Sequence, residues 1–207
     1  VLKVARLPGK QGAKSKECKH GKYSNALVQA NNPQHQITYG MAAARIKFSP
    51  VNGQHSAFWM DVPAGGSWTP GDAAGGAEID IAEYFGDGRR KGGLASFVHA
   101  KNAKGEIVSV GGELRSRHLL SKNKKLQKKK EWSQGWHVYS VEWSPTGYVF
   151  RVDGKVTLKT SKYVSRVPET ILLSAITSDW ELPQMNPKRL PTVTKYDWVR
   201  VWQRPAA

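Results

Sequence analysis

Short runs of β-favouring and aromatic residues recur along almost the whole chain, separated by turn-forming Gly, Pro and Asn. They fall at 37–39, 42–48, 56–61, 77–84, 95–100, 107–111, 137–143, 148–152, 170–177 and 196–203. Spacing of this kind predicts an all-β sandwich or barrel and argues against alternating βαβ units. Asp153-Gly154, lying between two alternating runs, is a strong hairpin signal. The opening Val1-Leu2-Lys3-Val4-Ala5 is already strand-like, and reads as a domain entered partway, its first strand or leader missing. No long amphipathic helix and no internal repeat interrupts the pattern. At 207 residues the chain is expected to form a single domain, 1–207, with room for a substantial core. No apolar run approaches a membrane span and no signal peptide is present. Cys18 is the only cysteine, so no intrachain disulfide can form and packing must supply the stability.

Within this pattern, Glu78-Ile79-Asp80-Ile81-Ala82-Glu83 places three carboxylates in one apolar strand-like segment. The whole chain has 16 Asp+Glu against 32 Lys+Arg, so three acids in six positions is a strong local concentration. On a strand, Glu78 and Asp80 share a face, whereas strict alternation sends Glu83 to the other. A β-bulge near Ile81-Ala82 would return Glu83 to the face of its neighbours. Taken alone, the segment reads either as an edge strand with a solvated acidic face or as a catalytic constellation. Clustered carboxylates raise at least one pKa, and one acid protonated beside one ionised is what glycosidic hydrolysis requires.

The pattern Glu-x-Asp-x-x-Glu resembles the active-site strand of family 16 glycoside hydrolases, the laminarinase and lichenase group. The likeness extends to Tyr39-Gly40 with Ala44-Arg45-Ile46-Lys47-Phe48, to Ala57-Phe58-Trp59-Met60, and to Phe97-Val98-His99. It continues through Trp136 to Trp143, through Tyr148 to Lys155, and through the closing Tyr196 to Trp202. The resemblance implies a concanavalin-like jelly roll, two stacked antiparallel sheets with a substrate cleft across the concave one. It implies Glu78 as nucleophile, Glu83 as general acid/base and Asp80 as the residue that tunes and orients them. It also places His99 near the reacting sugar and Trp59 beside the catalytic strand. The chain departs from the pattern at Ala43, where the family usually has Glu, and at His55-Ser56, where laminarinases usually have Trp-Pro; both positions belong to the sugar-binding surface or its support in relatives. Relatives often carry a structural calcium, held in part by the residue matching Asp197; the N-terminal segment that supplies its partners is expected to be missing here, so the expectation is no cofactor or metal.

Trp143, Trp198 and Trp202 lie in alternating patterns and read as core, while Trp132 and Trp136 fit either role. Trp68 and Trp180 sit in Gly/Pro-rich or polar segments and are candidate sugar platforms, since exposed aromatic faces stack on sugar rings. The formal net charge is +16, and the densest run, 122–130, holds Lys122, Lys124, Lys125, Lys128, Lys129 and Lys130. It reads as a solvated loop or as a field that recruits an anionic polymer, with Arg89-Arg90-Lys91, Arg115 and Arg117 in support. Nucleic acid would bind only nonspecifically.

The expectation is therefore a secreted, monomeric, retaining endo-hydrolase of β-linked polysaccharide, most simply β-1,3- or mixed-linkage glucan. Its site is Glu78, Asp80 and Glu83, with His99, Trp59, Trp68 and Trp180 on the substrate. A hydrolase of sulfated or anionic galactan, or a glycan-binding protein with weak or lost turnover, are the alternatives. A polyanion-binding module leaves the three acids unexplained.

Overall fold

The computed structural model describes residues 1–7, 22–63, 66–69, 75–89, 91–114 and 131–203. The run 122–130, Cys18, Arg90, Arg115 and Arg117 lie outside them. The described strands, in chain order, are β1 (Leu2–Arg6), β2 (Tyr23–Ser24), β3 (Ala26–Gln29), β4 (Gly40–Lys47), β5 (His55–Asp61), β6 (Glu78–Tyr84) and β7 (Leu94–Lys101). They continue with β8 (Ile107–Glu113), β9 (His137–Ser144), β10 (Gly147–Val152), β11 (Lys155–Thr160), β12 (Thr170–Ile176) and β13 (Thr192–Trp202). They form two antiparallel sheets, as the expected jelly-roll sandwich requires. One has the order β11-β10-β9-β4-β13-β1-β2 and the other β3-β12-β5-β6-β7-β8.

Period-2 alternation builds the core between the sheets. Tyr148, Phe150 and Val152 of β10 and Tyr139, Val141 and Trp143 of β9 point inward from one sheet. Phe58, Met60, Ile79 and Val98 meet them from the other. Burying these large side chains supplies the principal stabilisation, at about 25 cal/mol per Å² of apolar surface removed from water. Tyr196 ties the layers together, its hydroxyl lying 3.0 Å from the carbonyl oxygens of both Ala57 and Ser174.

The Asp153-Gly154 turn forms as its composition demands, with φ of 49° and 77° at the two residues, joining β10 to β11. β11, the second run of that hairpin, is too polar to stand out among the apolar runs and is marked only by the turn. It is an edge strand, and lysines such as Lys155 and Lys159 are what keep an edge from pairing with another chain. The short β2 and β3 are likewise invisible in the pattern. The run 37–39 is not a strand: only Ile37 bridges, to Glu169, and Tyr39 turns the chain at φ 63°.

Trp143 is core, but Trp198 and Trp202 are not. The pairing of β13 with β4 slips between Tyr196 and Trp198, which marks a bulge at Asp197. The extra residue reverses parity after the core-facing Tyr196. Trp198, Arg200 and Trp202 therefore turn outward, Trp202 being 48% exposed, while Val199 and Val201 border an inner recess with Ile171 and Leu173. Trp132 is buried, and Trp136 lies half-exposed under the Arg45 guanidinium, 5.0 Å from its ring centre.

Tyr196→Phe removes the hydroxyl that bridges the sheets. It is expected to cost about 1 kcal/mol, read as a fall in Tm of about 2–4 °C for a chain of this size. An unchanged melting temperature would show that the bridge adds nothing to stability.

Candidate active site

β6 carries the bulge that the acidic spacing predicts. Against β7, Asp80 pairs with Phe97 and Glu83 with Ala95, so three steps on β6 match two on its neighbour. Against β5, the slip falls between Phe58↔Ala82 and Trp59↔Asp80, which isolates Ile81 as the extra residue. Ile81 and Ala82 both pack into the core. Glu78, Asp80 and Glu83 consequently share the outer face of the six-stranded sheet. The entry to β6 is pinned by Gly76, whose φ of 120° disfavours other residues and where an added Cβ would come within 2.4 Å of Val62 Cγ1. Below it, the buried Glu169 accepts a hydrogen bond from the Ala77 N–H at 3.3 Å.

Glu78 and Glu83 line one cleft of about 440 Å³ together with His55, His99, Trp68 and Trp180; Phe85, Phe97 and Ile107 complete its wall. Asp80 lies beneath, only 3% exposed. His99 Nε2 sits 3.1 Å from Asp80 Oδ2, and its Nδ1 is 2.5 Å from Ser109 Oγ. His55 reaches Glu83 from β5: Nε2 lies 2.7 Å from Oε1, and Nδ1 lies 2.8 Å from Ser178 Oγ. Trp68 donates its indole N–H to Asp61 Oδ1 at 2.8 Å, which fixes the ring at the rim, whereas Trp180 stands 67% exposed.

The sequence-predicted residues thus converge with one exception. Trp59 shares the face, opposite Asp80 in register, but does not line the cleft, and its indole N–H is buried without an acceptor among the described residues. Ala43 is buried in the other sheet, between Arg200 and Ser140, so it does not line this cleft. Asp197 is paired with Arg45 at 2.6 Å. Arg89 is engaged by Glu181 through contacts of 3.0 and 2.8 Å and lies over the Phe85 ring, so it is a strut beside the cleft. Sequence reasoning missed Asp61, although its i+2 parity with Trp59 signals the same face. It also treated His55 only as a departure from the family pattern and gave it no part in the chemistry.

Burial dominates the electrostatics. It pushes the Glu78 carboxyl up to about 8, with the charges of Asp80, Asp61 and Glu83 adding to the rise and His99 opposing it. Burial likewise holds Asp80 well above the usual carboxylate range, reinforced by Glu83 and Asp61. Asp61 is raised by burial as well, against the hydrogen bonds from Trp68 and Val62. Glu78 and Asp80 therefore titrate as a pair. Of the two, Asp80 is the more deeply buried. Donor atoms of Glu78, Asp80 and His99 all lie within 4.8 Å of one another, a spacing that could hold a cation.

Because the Glu78 carboxyl is raised on folding, its stabilising contribution is complete below about 4.5 and is lost as pH rises through about 8. Glu78→Gln, which cannot ionise, is expected to match the parent near pH 4 and to melt several degrees higher near pH 9. Parallel melting curves for the two proteins across that range would show that the carboxyl is not raised.

The sequence matches the family model for Glycosyl hydrolases family 16 over residues 7–200. No curated protein matches it. Among solved structures it is similar to the laminarinase catalytic domain from Thermotoga maritima MSB8, with a TM-score of 0.69 and 18% identity, covering 99% of this chain and 77% of that one. A prokaryotic β-1,3-1,4-glucanase (lichenase) derived from a mouse hindgut metagenome gives 0.67 and 19%, over 97% and 78%. The catalytic domain of an endo-1,3-β-glucanase (laminarinase) from Thermotoga petrophila RKU-1 gives 0.66 and 20%, over 99% and 77%. With these folds alike and the family's sequence pattern spanning nearly all of the chain, the protein belongs to glycosyl hydrolase family 16 and is a glycoside hydrolase.

Proposed function

We propose that the protein is a retaining, endo-acting hydrolase of β-linked glucan, with β-1,3 or mixed linkage. The observation that carries this reading is the bulged β6, which turns Glu78 and Glu83 into one open cleft and leaves Asp80 buried beneath it. In the double displacement, Glu78 attacks the anomeric carbon while Glu83 protonates the departing oxygen. Glu83 then takes a proton from the water that releases the glycosyl-enzyme. Asp80, by holding the proton of its pair, removes one negative charge from beside Glu78 and lets the nucleophile ionise; His99 favours the same state. Trp180 and Trp68 supply flat apolar faces for sugar rings. The glucan assignment is supported by the similarity to a laminarinase and a lichenase. Secretion belongs to the same proposal. Among the described residues no helix is long and apolar enough to cross a membrane.

The anionic-galactan alternative loses Arg89, which is occupied by Glu181, and rests on the run 122–130 outside the described residues. Lost turnover has less support than the sequence suggests, because Ala43 is not at the cleft.

Glu78→Gln and Glu83→Gln are each expected to lower reducing-end release from laminarin and barley β-glucan by at least about a hundredfold. The first-formed product should keep the β configuration by NMR. Azide should partly restore turnover to Glu78→Ala or Glu83→Ala, as expected for a covalent cycle. Near-normal turnover in both amide variants would end the enzymatic reading, and preferential cleavage of a sulfated galactan would move the substrate assignment.

Asp80→Asn is expected to reduce activity less and to displace the pH–rate curve, since the proton shared with Glu78 disappears. A curve of parental shape and midpoints would confine Asp80 to packing.

A further inference from the structure

Glu83 has one side-chain partner among the described residues, and that partner is locked in place. His55 is 9% exposed, and its ring lies 4.7 Å from that of Phe85 and 6.0 Å from that of Trp180, so it cannot swing out without unpacking both. Its two nitrogens are both engaged, Nδ1 with Ser178 Oγ at 2.8 Å and Nε2 with Glu83 Oε1 at 2.7 Å. A serine hydroxyl can donate to Nδ1, which leaves the neutral imidazole with its N–H at Nε2. An N–H donated to Oε1 is accepted best by the carbonyl oxygen of the acid, which favours the acid proton on Oε2.

The geometry points to His55 as a positioning residue that fixes which oxygen of Glu83 carries the catalytic proton, with Ser178 holding the ring in the required tautomer. This rests on the reading of Glu83 as the proton donor. The acid proton is confined to Oε2. As Glu78 bonds to the anomeric carbon and the glycosidic C–O bond breaks, that proton passes to the departing oxygen. The charge left on Glu83 is met at Oε1 by the imidazole N–H in a charge-assisted bond. In the second half, water bonds to the anomeric carbon, its proton returns to Oε2, and the bond to Glu78 breaks. The imidazole keeps its own proton throughout.

His55→Phe retains an aromatic ring against Phe85 and Trp180 but removes both nitrogens, whereas His55→Gln restores an N–H near Oε1. On barley β-glucan, kcat/KM of His55→Phe is expected to fall at least about tenfold, carried by kcat with KM little changed, and His55→Gln should recover part of the loss. On an aryl oligoglucoside with a strongly activated phenol, which departs without protonation, kcat/KM should stay close to the parent's. Ser178→Ala should show the same selective loss in smaller measure. Equal losses on the two substrates would mark general damage to the site and overturn the role, as would an unchanged kcat/KM on glucan. Full glucan turnover by Glu83→Gln, measured alongside, would remove the proton donor itself and this role with it. A crippled Glu83→Gln beside an unaffected His55→Phe would remove this role alone.

Discussion

The bulge at Ile81 and Ala82 is the constraint on which the site is built. Glu78 and Glu83 are five positions apart, an odd offset that on a regular strand would send one carboxyl outward and the other between the sheets. The inner position is occupied by a packed layer that includes Phe58, Met60 and Tyr84. An ionised carboxyl there would go unsolvated, at a cost no nearby group could offset. Placing two consecutive apolar residues inward keeps the core filled and all three acids outside it. The register slips with both β5 and β7 show that neighbouring strands accommodate the extra residue.

Among the described residues, the acids gathered on one face are not met by the chain's abundant cations. Despite the net charge of +16, neither Lys nor Arg is among the described residues lining the cleft, and Arg89 beside it is engaged by Glu181. The groups set against the carboxyls are instead imidazoles, His99 beside Asp80 and His55 beside Glu83. A fixed cation in contact would hold a carboxyl permanently ionised. Histidine can donate or accept at either nitrogen, so its partner remains able to change protonation state during a reaction. Burial then does what a basic side chain would undo, and raises Glu78 and Asp80 into a range where protons are shared.

The sandwich was legible because its central strands are buried on the inner face and alternate, and the bulge of β6 was legible because the acids themselves mark its spacing. The bulge of β13 carries no such mark: Tyr196, Trp198 and Trp202 look like a uniform inward stripe until the slip at Asp197 is known. β11 was marked only by the turn before it, because an edge strand needs charge more than apolar pattern. The partnership of His55 with Glu83 is a tertiary fact. It depends on Ala57 standing opposite Glu83 across β5 and β6, and on Ser178 arriving from beyond β12, 123 residues later. No local pattern encodes it, whereas Asp61 could have been read from its parity with Trp59.

In the proposed mechanism, the segment following β12 connects substrate contact with proton handling. Ser178 holds His55, Trp180 faces the cleft, and Glu181 grips Arg89 over Phe85, whose ring in turn packs on His55. The backbone is closed on itself here, since the N–H groups of Glu181 and Leu182 both donate to the Ser178 carbonyl, at 2.9 and 3.0 Å. Any displacement that repositions Trp180 against a sugar ring therefore also moves the hydroxyl that orients the imidazole. Packed, hydrogen-bonded elements of this kind shift as units and do not deform residue by residue. In the proposed mechanism, substrate preference and placement of the proton at Glu83 are thus held by one short turn, and a substitution there acts on both.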